Sequence, residues 1–186
     1  MTGRPVDLHR RAELLDAITD YAAEHGFSEL TWRPVAAALG VTPNTLVHHF
    51  GTKEQMFQAV LQRLRGRLVA GIDEMLAGPA DLATAARTAW EWTSDPERSS
   101  EFRLFFAVYG RALQAPRQFA EFLDQVVADW MSSLCEVQGP DIEPATAARR
   151  ATLVIATIRG LLLDLLATGE HDRVHDAAQA FLASLR

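Results

Sequence analysis

Apolar side chains recur every three or four positions along most of this 186-residue chain, and Gly or Pro breaks the pattern at intervals. That spacing is the period of an α-helix with one buried face. No stretch alternates with period two over a useful length, so strands have no template and the fold class is all-α. A first helix runs from about Asp7 to His25, with Leu14, Leu15, Ile18, Tyr21 and Ala22 on one face and Gly26 as its stop. Thr31 caps a short helix over 32–39, which tolerates Pro34 in its first turn. Thr42 caps the next, with Pro43 at the first helical position and Asn44 to His49 following. Thr52 and Gln55 form a capping box for a longer helix, whose stripe is Met56, Phe57, Val60, Leu61, Leu64 and Leu68. It ends near Ala77, before Gly78-Pro79. Further helices are predicted over 81–94, 97–114, 116–137, 145–168 and 172–185, about nine in all. The short helices make a three-helix N-terminal module, residues 8–67, and the long ones a C-terminal domain, residues 68–186.

Composition narrows the function classes. Apolar residues are 48% and charged residues 23%, enough to bury a core without disulfides. The single cysteine, Cys135, has no intrachain partner and suits a reducing cytoplasm; beside Leu134 and Val137 it reads as a small core residue. The N-terminal MTGRPVDLHRR has no apolar signal core, and the most apolar stretch, Ala151 to Leu166, is interrupted by Arg159 and Asp164. Neither export nor a membrane span is expected, and the location is cytoplasmic. There is no phosphate loop, no dinucleotide glycine pattern and no nucleophile elbow, so neither an enzyme nor a cofactor is expected. His171 and His175 stand four apart, but the intervening Asp172 is short for a metalloprotease base and Cys ligands are lacking; a surface helix start is expected there, and no metal.

The net charge of −6 is unevenly divided. Residues 1–67 hold eight Arg and Lys, Arg4 among them, against seven acids, a balance of +1. Residues 68–186 hold ten Arg against seventeen acids, a balance of −7. The N-terminal part therefore permits phosphate binding without demanding it.

Two short helices separated by Gly40-Val41 satisfy the requirements of a helix-turn-helix. Ala36 is small where the helices meet, Gly40 allows the sharp turn, and Val35, Leu39, Val41, Leu46 and Phe50 can fasten both helices to the first. The second helix can then present Thr42, Pro43, Asn44, Thr45 and His48 to a major groove. Asn can pair with an adenine edge, and Thr or Pro carbons can touch a thymine methyl. Helix starts at Thr31 and Thr52 offer free amides to phosphate, helped by Arg33 and Lys53. Arg10 and Arg11 are either further phosphate contacts or solvated surface, and His49 reads as a packing residue.

Residues 31–54, TWRPVAAALGVTPNTLVHHFGTKE, resemble the DNA-binding signature of TetR-family transcriptional regulators. The matching positions are Val35-Ala36, Gly40-Val41-Thr42, Thr45-Leu46, His49-Phe50 and Lys53-Glu54, within a similarity covering about residues 8–67. Three positions depart from the pattern. Val47 replaces the usual tyrosine and either touches a thymine methyl or packs, and Pro43 and Asn44 also differ from the usual residues. The resemblance implies contacts to double-stranded operator DNA by Thr31, Arg33, Thr42, Pro43, Asn44, Thr45, Val47, His48, Thr52 and Lys53.

The helix predicted over 145–168 is apolar on two sides and needs cover on both. Val154, Ile155, Ile158, Leu162 and Leu165, with Ala178, Phe181 and Leu182 of the last helix, are expected at a homodimer interface; Leu153 and Leu163 continue the apolar surface, and Gly160 permits close approach. TetR-like proteins pair through their last long helices. The resemblance also implies a small-molecule cavity in the C-terminal domain, with Trp90, Phe102, Arg103, Phe106, Tyr109, Phe122, Gln125, Trp130 and Arg159 as candidate contacts to an apolar or aromatic effector. The whole implies a repressor released from DNA by its effector. The alternative is a helical protein-interaction module that binds no DNA.

Overall fold

The Asp7 carboxylate accepts from the amides of His9 and Arg10 and so starts the first helix of the computed structural model, which describes residues 7–78 and 81–185. Arg4 and Pro79 lie outside the described residues. Nine α-helices follow one another among the described residues: α1 (Leu8–His25), α2 (Trp32–Ala38), α3 (Pro43–Phe50), α4 (Lys53–Leu76), α5 (Leu82–Thr93), α6 (Ser99–Gln114), α7 (Ala120–Glu136), α8 (Pro144–Thr168) and α9 (His171–Ala183). Short 3₁₀ turns at Phe27–Glu29 and Pro96–Arg98 precede α2 and α6. The fold is all-α, as the periodicity predicts.

Local chemistry sets most boundaries. The capping box at α4 is present in both directions: Gln55 N–H donates to Thr52 Oγ1 at 3.2 Å, and Thr52 N–H donates to Gln55 Oε1 at 2.8 Å. Asp81 caps α5, Glu143 caps α8 ahead of Pro144, and Gly169 ends α8 with φ +70°. One predicted start is corrected. The helix expected from 116 begins at Ala120 instead. Ala115 precedes Pro116, where helical backbone is disfavoured, and adopts φ −133°, ψ 58°. The turn that follows drives Phe119 into the interior, 2% exposed.

Two apolar cores result. The first joins α1, α2, α3 and the start of α4, and it takes in Leu104, Val108 and Ala112 of α6. The second joins the end of α4 to α5, α6, α7, α8 and α9. The boundary expected after residue 67 falls inside α4, a continuous helix that enters both cores. Ion pairs hold α4 on two sides: Arg67 to Asp16 and Asp20 of α1 at 2.9 and 2.6 Å, and Arg65 to Asp129 of α7 at 2.9 Å. Such partly exposed pairs contribute at most about 1 kcal/mol each, so they orient α4 more than they stabilise it. At Gly71 the helix passes Trp92 so closely that a Cβ would stand 2.1 Å from the indole.

By length and composition alone α8 could cross a membrane, with 25 residues and a mean hydropathy of 1.7 over its most apolar window. In the fold its Ala151, Val154, Ile158 and Leu162 are buried in the second core. Both of its interrupting charges have partners there: Arg159 donates to the Val126 carbonyl, and Asp164 accepts from Arg173 at 2.8 and 2.9 Å.

Candidate nucleic-acid interface

The turn between α2 and α3 is a Schellman motif built on Gly40. Its φ of +64° is left-handed, which suits glycine. Val41 N–H donates to Ala36 O at 3.0 Å and Gly40 N–H to Ala37 O at 3.3 Å, satisfying the last carbonyls of α2. Val35 and Ala36 are 0% and 1% exposed, so the methyl of Ala36 lies at the helix junction as expected. Thr42 then starts α3: its hydroxyl accepts from Thr45 N–H at 3.2 Å and shares a 2.9 Å hydrogen bond with the Thr45 hydroxyl. Leu46 and Phe50, 0% and 4% exposed, anchor α3 in the first core.

That anchoring decides what faces solvent. Thr42, Pro43, Asn44, Val47 and His48 are exposed, and Thr45 is half-buried. Val47 is 43% exposed, an apolar side chain held outward on an otherwise polar helix face. At the neighbouring helix starts, Arg33, Thr52 and Lys53 are exposed and Thr31 is half-buried. The Thr31 hydroxyl caps nothing within the chain, unlike those of Thr42 and Thr52. It is free to donate to a phosphate.

Three basic residues near this face have other work. Arg11 Nε donates to the His49 carbonyl at 3.1 Å, and its guanidinium lies 5.2 Å from the Phe50 ring centre. It ties α1 to the C-terminal end of α3, where a cation is favoured. Arg10 pairs with Glu13 at 2.9 Å. His49 is half-buried; burial first, then the neighbouring His48, pushes its pKa down, so it is neutral at neutral pH. It packs, as expected.

The candidate effector residues divide. Phe102, Phe106, Trp130 and Arg159 line one cavity of about 30 Å³, together with Phe105 and Leu162. Tyr109 stacks on Phe105 with centroids 5.9 Å apart, and Phe122 leans on both rings. Phe122 and Gln125 line an adjoining cleft of about 110 Å³ between α4 and α7. The expectation is corrected for Trp90 and Arg103, which line neither the cavity nor the cleft. Trp90 is 2% exposed within the second core. Arg103 is exposed and donates to the Leu166 carbonyl at 2.9 Å, closing the C-terminal end of α8. Phe105 is the contact that sequence reading passed over; its spacing of four from Tyr109 was the available signal.

The expected dimer residues are also corrected. Val154, Ile155, Ile158, Leu162, Leu165, Ala178 and Leu182 are at most 7% exposed within one protomer. They form the core of the protomer. Of the expected set only Phe181 is partly exposed. The outward side of α8 carries Leu153, Ala156, Gly160, Leu163 and Ala167, with Leu153 and Leu163 at 62% and 51% exposed. Leu153, Thr157, Phe181 and Leu185 line an open groove beside it.

Residues 14–60 match the profile of bacterial regulatory proteins of the tetR family. The chain is 28% identical over 127 residues to the HTH-type transcriptional regulator BetI of Rhizobium meliloti (strain 1021), covering 57% of this chain and 61% of that protein. It is 36% identical over 72 residues to the HTH-type transcriptional repressor KstR2 of Rhodococcus jostii (strain RHA1), covering 39% and 35%. These matches thus span about a third to three fifths of the curated relatives' length. Over its whole fold it is similar to the crystal structure of a transcriptional regulator from Rhodococcus sp. Rha1, with a TM-score of 0.78, 29% identity and coverage of 94% and 95%.

Proposed function

We propose that the chain, whose residues 14–60 match the profile of bacterial regulatory proteins of the tetR family, is a cytoplasmic, homodimeric repressor of that family that reads operator DNA with α3 and is released by a small-molecule effector. The observation that carries the reading is the face of α3. Leu46 and Phe50 hold the helix down while Pro43, Asn44, Val47 and His48 stand in solvent at its exposed side. A helix so held can enter a major groove. Thr31, Arg33, Thr52 and Lys53 serve as phosphate contacts that set register, Thr42 and Thr45 shape the start of the reading helix, and Asn44, Val47 and His48 meet base edges. Val47 offers a methyl surface where a thymine methyl fits.

The dimer forms through the outward side of α8, from Leu153 to Ala167, with the neighbouring face of α9. Two-fold symmetry then places two copies of α3 on successive major grooves. Release is a population shift. DNA selects one separation of the two reading helices, and an effector bound among α4, α6, α7 and α8 selects another. The continuous α4 carries the change, since its first half lies in the first core and its end in the second.

The test is binding to promoter fragments of the source genome as salt is varied. Affinity falls steeply with salt if phosphates are contacted. Salt-insensitive binding, or none to any fragment, would favour a protein-interaction module instead. Two substitutions separate positioning from reading. Lys53→Ala weakens binding about evenly across operator variants and lowers the salt slope by about one. Asn44→Ala leaves the slope nearly unchanged but relaxes preference at one base pair, a discrimination of about 1–3 kcal/mol. Competition titrations with single-base operator variants distinguish the two; an N44A protein with unaltered preference removes Asn44 from the readout.

A further inference from the structure

We propose that the effector is an apolar carboxylate, held by a charge-assisted pair with Arg159; this rests on the reading of the chain as an effector-responsive regulator. Arg159 lines the cavity among α6, α7 and α8, where Phe102, Phe105, Phe106, Trp130 and Leu162 are apolar and the one other polar residue, Thr93, spends its hydroxyl on the Ala89 and Trp90 carbonyls. Its guanidinium has no carboxylate within ion-pair distance among the described residues. Asp164 of its own helix is engaged by Arg173, and Asp129 of the facing helix by Arg65. What it has instead is the Val126 carbonyl, which α7 also uses in its own ladder, and the faces of Phe105 and Tyr109, with ring centres 5.7 and 5.8 Å away.

A cation withdrawn from water costs free energy unless an anion answers it. Burial pushes the Arg159 pKa down, yet a guanidinium stays charged across the biological range. The ligand-free protein therefore carries an unneutralised charge on the wall of an apolar cavity. A carboxylate supplies the missing anion in the fork geometry that guanidinium matches, at two parallel N–H···O bonds. The aromatic walls take the hydrocarbon part of the ligand. Neutral ligands leave the charge unanswered, and cationic ones are repelled.

The cavity itself has room for one water at about 30 Å³, and a second of about 30 Å³ shares Phe105 and Trp130 with it. Ligand entry opens both by turning Phe106, Phe122 and Trp130, which are half-buried rather than sealed. The cleft beside Gln125 shares Arg65 and Phe122 with the second of these cavities.

The experiment uses the full chain and a matched probe set: octanoate, octanamide and octylamine, with phenylacetate and phenylacetamide as the aromatic pair. Binding is followed by calorimetry and by tryptophan fluorescence, to which Trp130 in the cavity wall contributes. Each carboxylate is expected to bind at least about tenfold tighter than its amide, and octylamine not at all. Arg159→Met is expected to abolish that preference and to melt no lower than the parent without ligand. Equal binding of acid and amide, tighter binding of the amine, no carboxylate binding, or an R159M protein that keeps the preference would each overturn the inference. The ligand comparison on the parent protein stands even if R159M does not fold. Operator binding without ligand, measured in parallel, separates the two readings. Intact operator binding with no carboxylate preference removes only the inference about the effector.

Discussion

Leu163→Asp is expected to yield folded monomers, whereas Leu162→Asp, one residue earlier, is expected to unfold the chain. The two side chains point about 100° apart around α8, one into the protomer and one out of it. Leu162 is 2% exposed and packs in the second core. A carboxylate there loses its water and gains no partner, a cost of several kcal/mol against a total stability of about 5–15. Leu163 is 51% exposed in a single protomer, beside Gly160 and Ala167. A charge there meets solvent in the monomer but its own symmetry mate in the dimer, where like charges and lost apolar contact both oppose association. Because each protomer holds one reading helix, the monomer loses the linkage between half-sites, and operator affinity is expected to fall by about 100-fold or more. Sedimentation velocity and circular dichroism read the two effects separately. A Leu163→Asp protein that still sediments as a dimer would move the interface off this side of α8.

The second large effect is at the reading helix. Leu46→Ala removes a side chain that is 0% exposed and that fixes α3 to α1 and α4 in the first core. The truncation leaves a cavity, at a cost of about 2–5 kcal/mol, which for a chain of this size lowers the melting midpoint by roughly 5 to 20 °C. Val47, its neighbour, is 43% exposed. Val47→Ala is expected to change stability by less than about 0.5 kcal/mol and to change sequence preference at a thymine-bearing position instead. Thermal melts and operator titrations of both variants test the orientation of α3 directly. If V47A were the destabilised protein and L46A the altered reader, the helix would be rotated from the orientation described here.

The contrast between these neighbouring pairs also shows what sequence could and could not convey. Helix starts were readable because caps are local: Asp7, Thr42, Thr52 and Asp81 all act within three residues of themselves. The helix-turn-helix was readable for the same reason, since Ala36, Gly40 and Thr42 set its turn within a few positions. The start of α7 lies beyond the expected position because Pro116 holds Ala115 out of the helical region and a turn follows before Ala120. The two sides of α8 could not be assigned from periodicity. Both are apolar, and the stronger stripe marks the protomer core rather than the partner. Arg11 and Arg103 were equally opaque, because the carbonyls they hold lie 38 and 63 positions away. Arg159 differs from Arg103 in nothing local; only the packing of α6, α7 and α8 turns it toward the aromatic cavity.

The most direct test of α3 as the DNA-reading element is a guanine-methylation footprint on an operator selected from the source genome. Methylation at guanine N7 reports the major groove, and adenine N3 the minor groove. The account predicts protection of guanines in two major-groove patches related by two-fold symmetry and about one helical turn apart, lost when Leu163→Asp separates the protomers. Protection confined to minor-groove adenines, or a footprint unchanged by removing the exposed side chains of α3, would contradict it.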